Sequence, residues 1–297
     1  AEGVPVVAVD ADLTGSTTTA KFAAASPENA SRLFNCGIAE QNMVDVAAGL
    51  SLTGKVAFTG SFAVFGTGRA YDQIRNTVCY AGLDVKICPT HAGISVGPDG
   101  GTHQMLEDVS LMRSLPGMRV LVPADYASAR GALRLAAATP GPVYVRMGRA
   151  NVPAVYGEGV ELELGGSCVL REGPDVTLSA TGIAVDEARK AADLLAAEGI
   201  AAEVIDAYSV KPLDEESIIT SLAKTGCAVV AEEHSVHGGL GSAVAEAAAR
   251  LHPAPLAFVG MDDRFGKSGE FEELLAFFAM DAAAIADAAK MVMEKRA

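Results

Sequence analysis

The strongest constraint on the fold is an alternation of short apolar runs with longer segments of helical period. In the first half, apolar runs predict strands at residues 6–9, 55–58, 84–88, 119–122 and 143–146. Segments with helical spacing lie between them, at residues 40–52, 71–80, 106–114 and 126–138. Strands that are apolar on both faces are typical of a parallel sheet covered by helices.

The alternation pauses over residues 147–166, which are rich in Gly, Pro and Glu, and then resumes. Strands are predicted at 176–179, 202–205, 228–231 and 256–259, and helices at 185–197, 215–223, 240–251 and, as one or two helices, 271–295. We therefore predict an α/β protein with two doubly wound domains, each with a mostly parallel sheet. The domains are placed at residues 1–150 and, for the smaller one, 167–297, with a linker at 151–166.

Charge and cysteine content exclude several classes of protein. The formal net charge is −14, and no Lys- or Arg-rich run occurs, so a nucleic acid or an anionic membrane is not an expected partner. The five cysteines show no CxxC spacing, which argues against a disulfide framework and favours a reducing compartment. No apolar run reaches the ~20 residues of a membrane span, and no signal peptide is visible. The sequence predicts a cytoplasmic protein.

Glu40 follows a short apolar run at residues 33–34 and opens a predicted helix. In a parallel sheet, ligands bind where the carboxyl end of a strand leads into a helix. A carboxylate in the first helical turn also interacts favourably with the helix dipole. Taken alone, Glu40 is therefore explained as a helix-start acid.

A glycine-rich loop at residues 97–101 is flanked by His91 and His103 and contains Asp99. The loop lacks the Lys-Ser ending of a Walker-type phosphate loop. Its glycines allow the backbone to approach a ligand closely. Two histidines and an aspartate around one loop suggest recognition of a polar substrate.

Five further residues have ordinary structural explanations when each is taken alone. Aromatic side chains usually belong to the core, and residues just after a strand often form a turn or a helix cap. An arginine at a strand end can form a structural salt bridge or bind a phosphate. These five residues are Phe62, Phe65, Asp12, Ser16 and Arg146.

The motifs together resemble the transketolase family of thiamine diphosphate enzymes, in the family's order and over nearly the whole chain. Residues 1–150 resemble its pyrimidine-binding domain and residues 167–297 its C-terminal domain. The matching segments are ADLTGS (11–16), GIAEQN (37–42), GSF (60–62), AYDQ (70–73), GPDGGTHQ (97–104), VPAD (122–125), YSVKPLD (208–214), EEH (232–234) and GGLG (238–241).

The resemblance implies a cofactor site. Glu40 would hydrogen-bond N1′ of the aminopyrimidine and so promote the thiamine diphosphate carbanion. Phe65, as first choice, and Phe62 would stack on that ring, whereas the family's third aromatic residue would fall at Gly68. Asp12 would lie at the subunit contact beside the cofactor.

The resemblance also implies substrate contacts. His103 would act with the cofactor by contacting the carbonyl or hydroxyl group of the reacting sugar. His91 and Asp99 would contact sugar hydroxyls, and Ser16 and Arg146 would bind the substrate phosphate.

The Gly-Asp-Gly segment and its downstream Asn, which hold the metal and the diphosphate in the family, do not occur in this sequence. The pair His234 and His237 lacks further ligands, so no metal site is predicted in this chain. We therefore expect a split enzyme, in which a partner chain carries the pyrophosphate-binding domain and most of the Mg²⁺ site. This chain would be the C-terminal subunit, dimerising with itself inside a heterotetramer.

The predicted activity is transfer of a two-carbon ketol unit from a ketose phosphate to an aldose phosphate, as in the pentose phosphate pathway. Alternatives are a deoxyxylulose-phosphate synthase-like subunit, a 2-oxoacid dehydrogenase β-like subunit, and a transketolase for an unusual sugar. A non-catalytic scaffold subunit is a further alternative.

Overall fold

The computed structural model describes residues 3–296, which form two sheets flanked by helices. The strands are β1 Val6–Asp10, β2 Leu33–Asn35, β3 Val56–Gly60, β4 Val85–Ile87, β5 Arg119–Leu121, β6 Val143–Val145, β7 Cys168–Arg171, β8 Val176–Ala180, β9 Ala202–Asp206, β10 Ser209–Lys211, β11 Ala228–Ser235 and β12 Leu256–Met261. The helices are α1 Thr19–Ala24, α2 Pro27–Ala30, α3 Glu40–Ser51, α4 Tyr71–Gln73, α5 Asp108–Ser114, α6 Tyr126–Ala138, α7 Ala184–Ala197, α8 Glu215–Thr225, α9 Leu240–Leu251, α10 Phe271–Phe277 and α11 Ala282–Met293. The predicted α/β class with two mostly parallel sheets is confirmed.

The first sheet has seven strands in the order β10-β5-β6-β4-β3-β1-β2. Every pair is parallel except β10 with β5. Strand β10 comes from the second half of the chain, so this sheet is not built from the first half alone. A three-residue edge strand between β9 and α8 has no strong sequence signal, which explains why the pattern did not predict it.

The second sheet has the order β12-β11-β8-β9-β7, in which only β7 pairs in the antiparallel sense. Helices α7 and α11 pack against each other and against this sheet. The inner face of α7 includes Ala188, Ala191, Ala192 and Leu195, none of which is exposed. Small side chains on that face let the helix lie close to the strands, and their burial supplies hydrophobic stabilisation.

One apolar core joins the two halves of the chain. The cluster around β1, α3 and β3 also contains residues that follow the linker, among them Val210, Val230 and Leu240. The second domain therefore packs directly against the helices of the first. This contact places the carboxyl end of β11 beside the loop that contains the predicted substrate residues.

Most predicted elements are observed within a few residues of the predicted bounds, and α6 and α9 match them. The helical segment predicted at 71–80 begins as a short α-helix and continues as a wider π-type helix, Ile74–Cys79. The region 271–295 forms two helices. Within residues 3–296, no helix is long and apolar enough to cross a membrane.

Candidate active site at the carboxyl ends of the first sheet

A cavity of about 470 Å³ lies beyond the carboxyl ends of β1, β3, β4 and β6. Because the carboxyl ends of parallel strands meet at one edge, segments distant in sequence converge there. The cavity contains four of the predicted site residues. Its lining consists of Ser16, Thr17, Thr18, Phe62, Thr90, His91, Asp99, Gly148 and Arg149.

Glu40 is the first residue of α3 and is 1% exposed. Its Oε2 accepts a hydrogen bond of 2.9 Å from Nη1 of Arg69. The Arg69 guanidinium also lies 4.5 Å from the centroid of the Phe65 ring. A planar group that donates hydrogen bonds can therefore contact the Glu40 carboxylate and the Phe65 ring at the same time. These two contacts are the ones that the family resemblance implies for the aminopyrimidine, so Glu40 and Phe65 fit that group.

Four rings connect this position to the cavity. The ring of Phe62 stacks on that of His91, with centroids 3.9 Å apart, and lies 6.2 Å from that of Phe65. The His103 ring lies edge-on to Phe65 at 5.4 Å. The predicted stacking residues Phe65 and Phe62 and the predicted substrate histidines therefore form one cluster.

His91 has a left-handed backbone with φ of 61°. Such a conformation is uncommon for a residue other than glycine and occurs preferentially at functional sites. Its Nδ1 lies 2.8 Å from the Thr90 hydroxyl. Burial, with a contribution from the charge of Arg149, lowers the pKa of His91 to about 4. The imidazole is therefore neutral at neutral pH and can both donate and accept a hydrogen bond.

Asp99 and His103 lie on the loop after β4. Asp99 lines the cavity, whereas His103 contacts the ring cluster and its Nδ1 lies 2.9 Å from the Thr102 hydroxyl. Gln104 fixes this loop, because its Nε2 donates to the carbonyls of Ile94 and Gly97 at 3.3 Å.

Ser16 reaches the cavity because the buried Asp10 folds the turn after β1. The Asp10 carboxylate accepts from Leu13 N at 2.7 Å and from the hydroxyls of Thr17 and Thr19 at 2.9 and 2.8 Å. Asp12, at the same turn, is exposed and its N–H donates to Asn35 Oδ1 at 3.1 Å. Asp12 does not line the cavity.

Arg146 does not fit its predicted role in phosphate binding. Its side chain is 5% exposed and does not line the cavity. Nε donates to Asp108 Oδ2 at 2.8 Å and Nη2 to the Glu233 carbonyl at 2.8 Å, while Nη1 lies 3.4 Å from Glu233 Oε2. Two buried carboxylates therefore neutralise this arginine. Arg146 forms a structural salt bridge, which was the alternative to phosphate binding in the sequence-based prediction.

Arg149 lines the cavity instead. It lies beyond the end of β6, where the chain has left the sheet, and it is exposed. One nitrogen, Nη1, donates to the Val96 carbonyl at 2.7 Å. Neither Arg149 nor Arg69 was predicted from the sequence. The signal for Arg149 is its position three residues past Arg146, beyond the strand, whereas Arg69 has no comparable sequence signal.

No cluster of three or more His, Cys, Asp or Glu side chains suited to a metal ion occurs in residues 3–296. His234 instead has its Nδ1 2.7 Å from the Ser235 carbonyl.

The domain models of one family match almost the entire chain. The model for the transketolase pyrimidine-binding domain matches residues 1–155, and the model for the transketolase C-terminal domain matches residues 165–285.

Similar proteins carry related descriptions. A putative transketolase C-terminal section from Methanocaldococcus jannaschii is 46% identical. The match includes 98% of this chain and 90% of that protein. The 6-deoxy-6-sulfo-D-fructose transketolase subunit of Clostridium sp. (strain MSTE9) is 45% identical, with 98% of this chain covering 89% of that protein. A solved split gene transketolase, described as an inactive β4 tetramer, has a TM-score of 0.89 and 47% identity, with coverage of 99% of this chain and 93% of that one.

Proposed function

Because this chain belongs to the transketolase family, we propose that it supplies the C-terminal half of a two-subunit transketolase. The reaction is transfer of a two-carbon ketol unit from a ketose phosphate to an aldose phosphate. One observation carries the proposal: Arg69 bridges the buried Glu40 carboxylate to the Phe65 ring, and ring contacts lead from Phe65 through Phe62 to a cavity lined by polar residues.

Thiamine diphosphate, when bound, supplies a nucleophilic carbon for this chemistry. Glu40 would hold a proton at N1′ of the aminopyrimidine, since its carboxylate is shielded from water at the start of α3. Phe65, followed by Phe62, would provide the stacking surface, a contact worth ~0.5–1.5 kcal/mol beyond burial. Arg69 now occupies the contacts to Glu40 and Phe65, so its guanidinium must move aside or rotate.

The sugar would bind between the ring cluster and the turn after β1. His103 would donate a hydrogen bond to the reacting carbonyl, where negative charge develops in the transition state. His91, neutral at neutral pH, and Asp99 would contact the hydroxyls.

Arg149 and Ser16 would hold the phosphate at the far side of the cavity. The Arg149 guanidinium keeps donors available besides the one directed at Val96, and arginine binds phosphate oxygens through paired donors. We place Asp12 at the subunit contact beside the cofactor because it is exposed on the same turn as Ser16.

The partner in this proposal is an N-terminal transketolase subunit with the pyrophosphate-binding domain, which would hold the Mg²⁺ and the diphosphate. The descriptions of the relatives as a C-terminal section and as a subunit support it, since this chain covers about nine-tenths of each. We further propose that the chain dimerises with itself, forms a heterotetramer with the partner and is inactive alone. A β4 tetramer described as inactive for a 47% identical protein is consistent with that view.

A second candidate is a transketolase for a different sugar. The similarity to a subunit named for 6-deoxy-6-sulfo-D-fructose supports this alternative. A sulfonate is a tetrahedral oxyanion like a phosphate but carries less charge, and Arg149 could bind either group. The pentose phosphate pathway stays a prediction.

The test is reconstitution of this chain with an N-terminal subunit, Mg²⁺ and thiamine diphosphate. Ketol transfer from xylulose 5-phosphate to ribose 5-phosphate is then measured, with the sulfonated sugar as an alternative donor. Glu40→Gln should lower kcat by at least about 100-fold, the scale of a lost proton-transfer group. Glu216→Gln, an exposed control on α8, should not change it. An unchanged rate in the Glu40 variant, or full activity of this chain alone, would refute the proposal.

A further inference from the structure

The second domain contacts the substrate loop, the segment between β4 and α5 that carries His91, Asp99 and His103 (residues 88–107), through a buried carboxylate. Strand β11 extends to Ser235, four residues past its last pairing with β8 at Ala231, and its last residues reach the segment after β4. Ser235 N donates to the Leu106 carbonyl at 2.7 Å, which fixes the strand end to the end of that segment. Glu233, two residues earlier, is 3% exposed and points into the segment.

The Glu233 side chain accepts a hydrogen bond from the backbone of this segment. Its Oε1 accepts a hydrogen bond of 2.6 Å from the Ser95 N–H. It also lies over Gly93, where a Cβ atom would fall only 2.1 Å from the Glu233 carboxyl carbon and the backbone has φ of +77°. Glycine at residue 93 therefore makes room for the carboxylate. His91 lies two residues before this contact and Asp99 four residues after Ser95.

The Glu233 carboxylate shares its cation, Arg146, with the Asp108 carboxylate. Arg146 Nη1 lies 3.4 Å from Glu233 Oε2. The neighbouring His234 lies 3.9 Å from Asp108 and 3.7 Å from Glu232. Burial raises the pKa of the Glu233 carboxyl to about 7, opposed by Arg146 and by the Ser95 N–H. A carboxylate that is costly to bury is most simply explained by its two contacts with the first domain, to the Ser95 N–H and to Arg146.

A second contact between the same two regions supports this view. The loop residue Gln104 donates to the Lys267 carbonyl at 3.0 Å, and Gly101 leaves no space for a side chain against the Gly266 carbonyl. The second domain thus borders the substrate loop at both ends of its glycine-rich part.

We infer that Glu233 is a positioning residue through which the second domain holds the loop bearing His91, Asp99 and His103 in the geometry that binds the sugar. The inference rests on the proposed function for the role of that loop. It gives the C-terminal domain a part in substrate recognition without any direct contact with the sugar.

The first measurement does not depend on the reaction. Hydrogen–deuterium exchange of residues 93–99 is compared between the reconstituted native complex and Glu233→Ala. Loss of the acceptor should speed exchange there by about tenfold, the factor that corresponds to ~1.4 kcal/mol, while the peptides of α3 keep their rate. Unchanged exchange at residues 93–99 overturns the inference whatever the enzyme does.

The second measurement is kinetic, on the same complexes. Glu233→Ala should raise the KM for the sugar substrates about tenfold and leave thiamine diphosphate affinity unchanged. Glu233→Gln keeps an oxygen acceptor for the Ser95 N–H and should restore KM to within about twofold of native. Glu232→Ala is the matched control, because this neighbouring carboxylate accepts from Leu240 N and Gly241 N and does not touch the loop.

The outcomes separate the two ideas. If exchange rises in Glu233→Ala and the native complex shows no ketol transfer, the proposed function fails while the loop contact stands. If the native complex is active and Glu232→Ala raises KM as much as Glu233→Ala, general destabilisation of β11 explains the data and the inference is wrong.

Discussion

Arg146 and Arg149 are three residues apart, and the structure predicts opposite consequences for their replacement. Arg146→Met would leave the carboxylates of Asp108 and Glu233 buried without their cation. Removing one partner of a buried ion pair costs ~3–5 kcal/mol. With an unfolding entropy of ~2.1 cal/mol/K per residue, the 297-residue chain has about 0.6 kcal/mol/K. The expected fall in Tm is therefore about 5–8 °C for a transition in which the chain unfolds cooperatively.

Arg149→Met should show the reverse behaviour. Its side chain is exposed in the cavity, and the loss of its bond to the Val96 carbonyl costs at most about 1 kcal/mol. The bound phosphate loses a charge-assisted contact worth ~1.5–3 kcal/mol, which raises KM about 10- to 150-fold. Arg149→Lys keeps the positive charge but lacks the paired guanidinium donors, so its KM should lie between those of the native enzyme and Arg149→Met.

The assay pairs thermal unfolding of each variant with substrate kinetics of the reconstituted complex. If Arg146→Met has the native Tm and a raised KM for the sugar phosphate, the sequence-based prediction that Arg146 binds phosphate would be supported after all. An unchanged KM in Arg149→Met would refute the assignment of the cavity to the phosphate.

Three other outcomes are expected. Arg69→Ala removes an ion pair with Glu40 that the cofactor must displace. The Kd of the complex for thiamine diphosphate should therefore fall by up to about fivefold, corresponding to ~1 kcal/mol for a half-exposed pair. A higher Kd in cofactor titration would contradict this prediction. The pKa of His91 is lowered to about 4 from its ordinary 6.5. Between these two pH values the unfolded chain takes up a proton at His91 that the folded chain does not, so the free energy of unfolding falls as the pH drops from 6.5 to 4. In denaturant titrations, the free energy of unfolding of His91→Gln should fall less over this pH range than that of the native chain. Equal pH dependence in the two proteins would argue against a buried neutral imidazole. Leu195→Ala empties a fully buried position and should cost ~2–5 kcal/mol, whereas Leu194→Ala, 46% exposed next to it, should cost less than ~0.5 kcal/mol; equal losses in chemical denaturation would contradict the packing of α7.

Local pattern was enough to locate most of the elements. The amphipathic periods of α6 and α9 predict both bounds, because each helix has one apolar face, and Asp125 caps the start of α6. The short β10 and the π-type helix after α4 were not predicted, because their formation depends on partners from other parts of the chain.

The sequence by itself determined the fold class, the family resemblance and the candidate residues at the strand ends, since all of these follow from periodicity and from local motifs. Only the tertiary structure decided which arginine faces the cavity and what contacts Glu40. Arg146 and Arg149 both lie near the predicted end of β6, and the side-chain direction of each depends on where β6 ends and on the carboxylates of Asp108 and Glu233. Those carboxylates come from positions 38 residues before and 87 residues after Arg146, a separation that no local pattern can bridge.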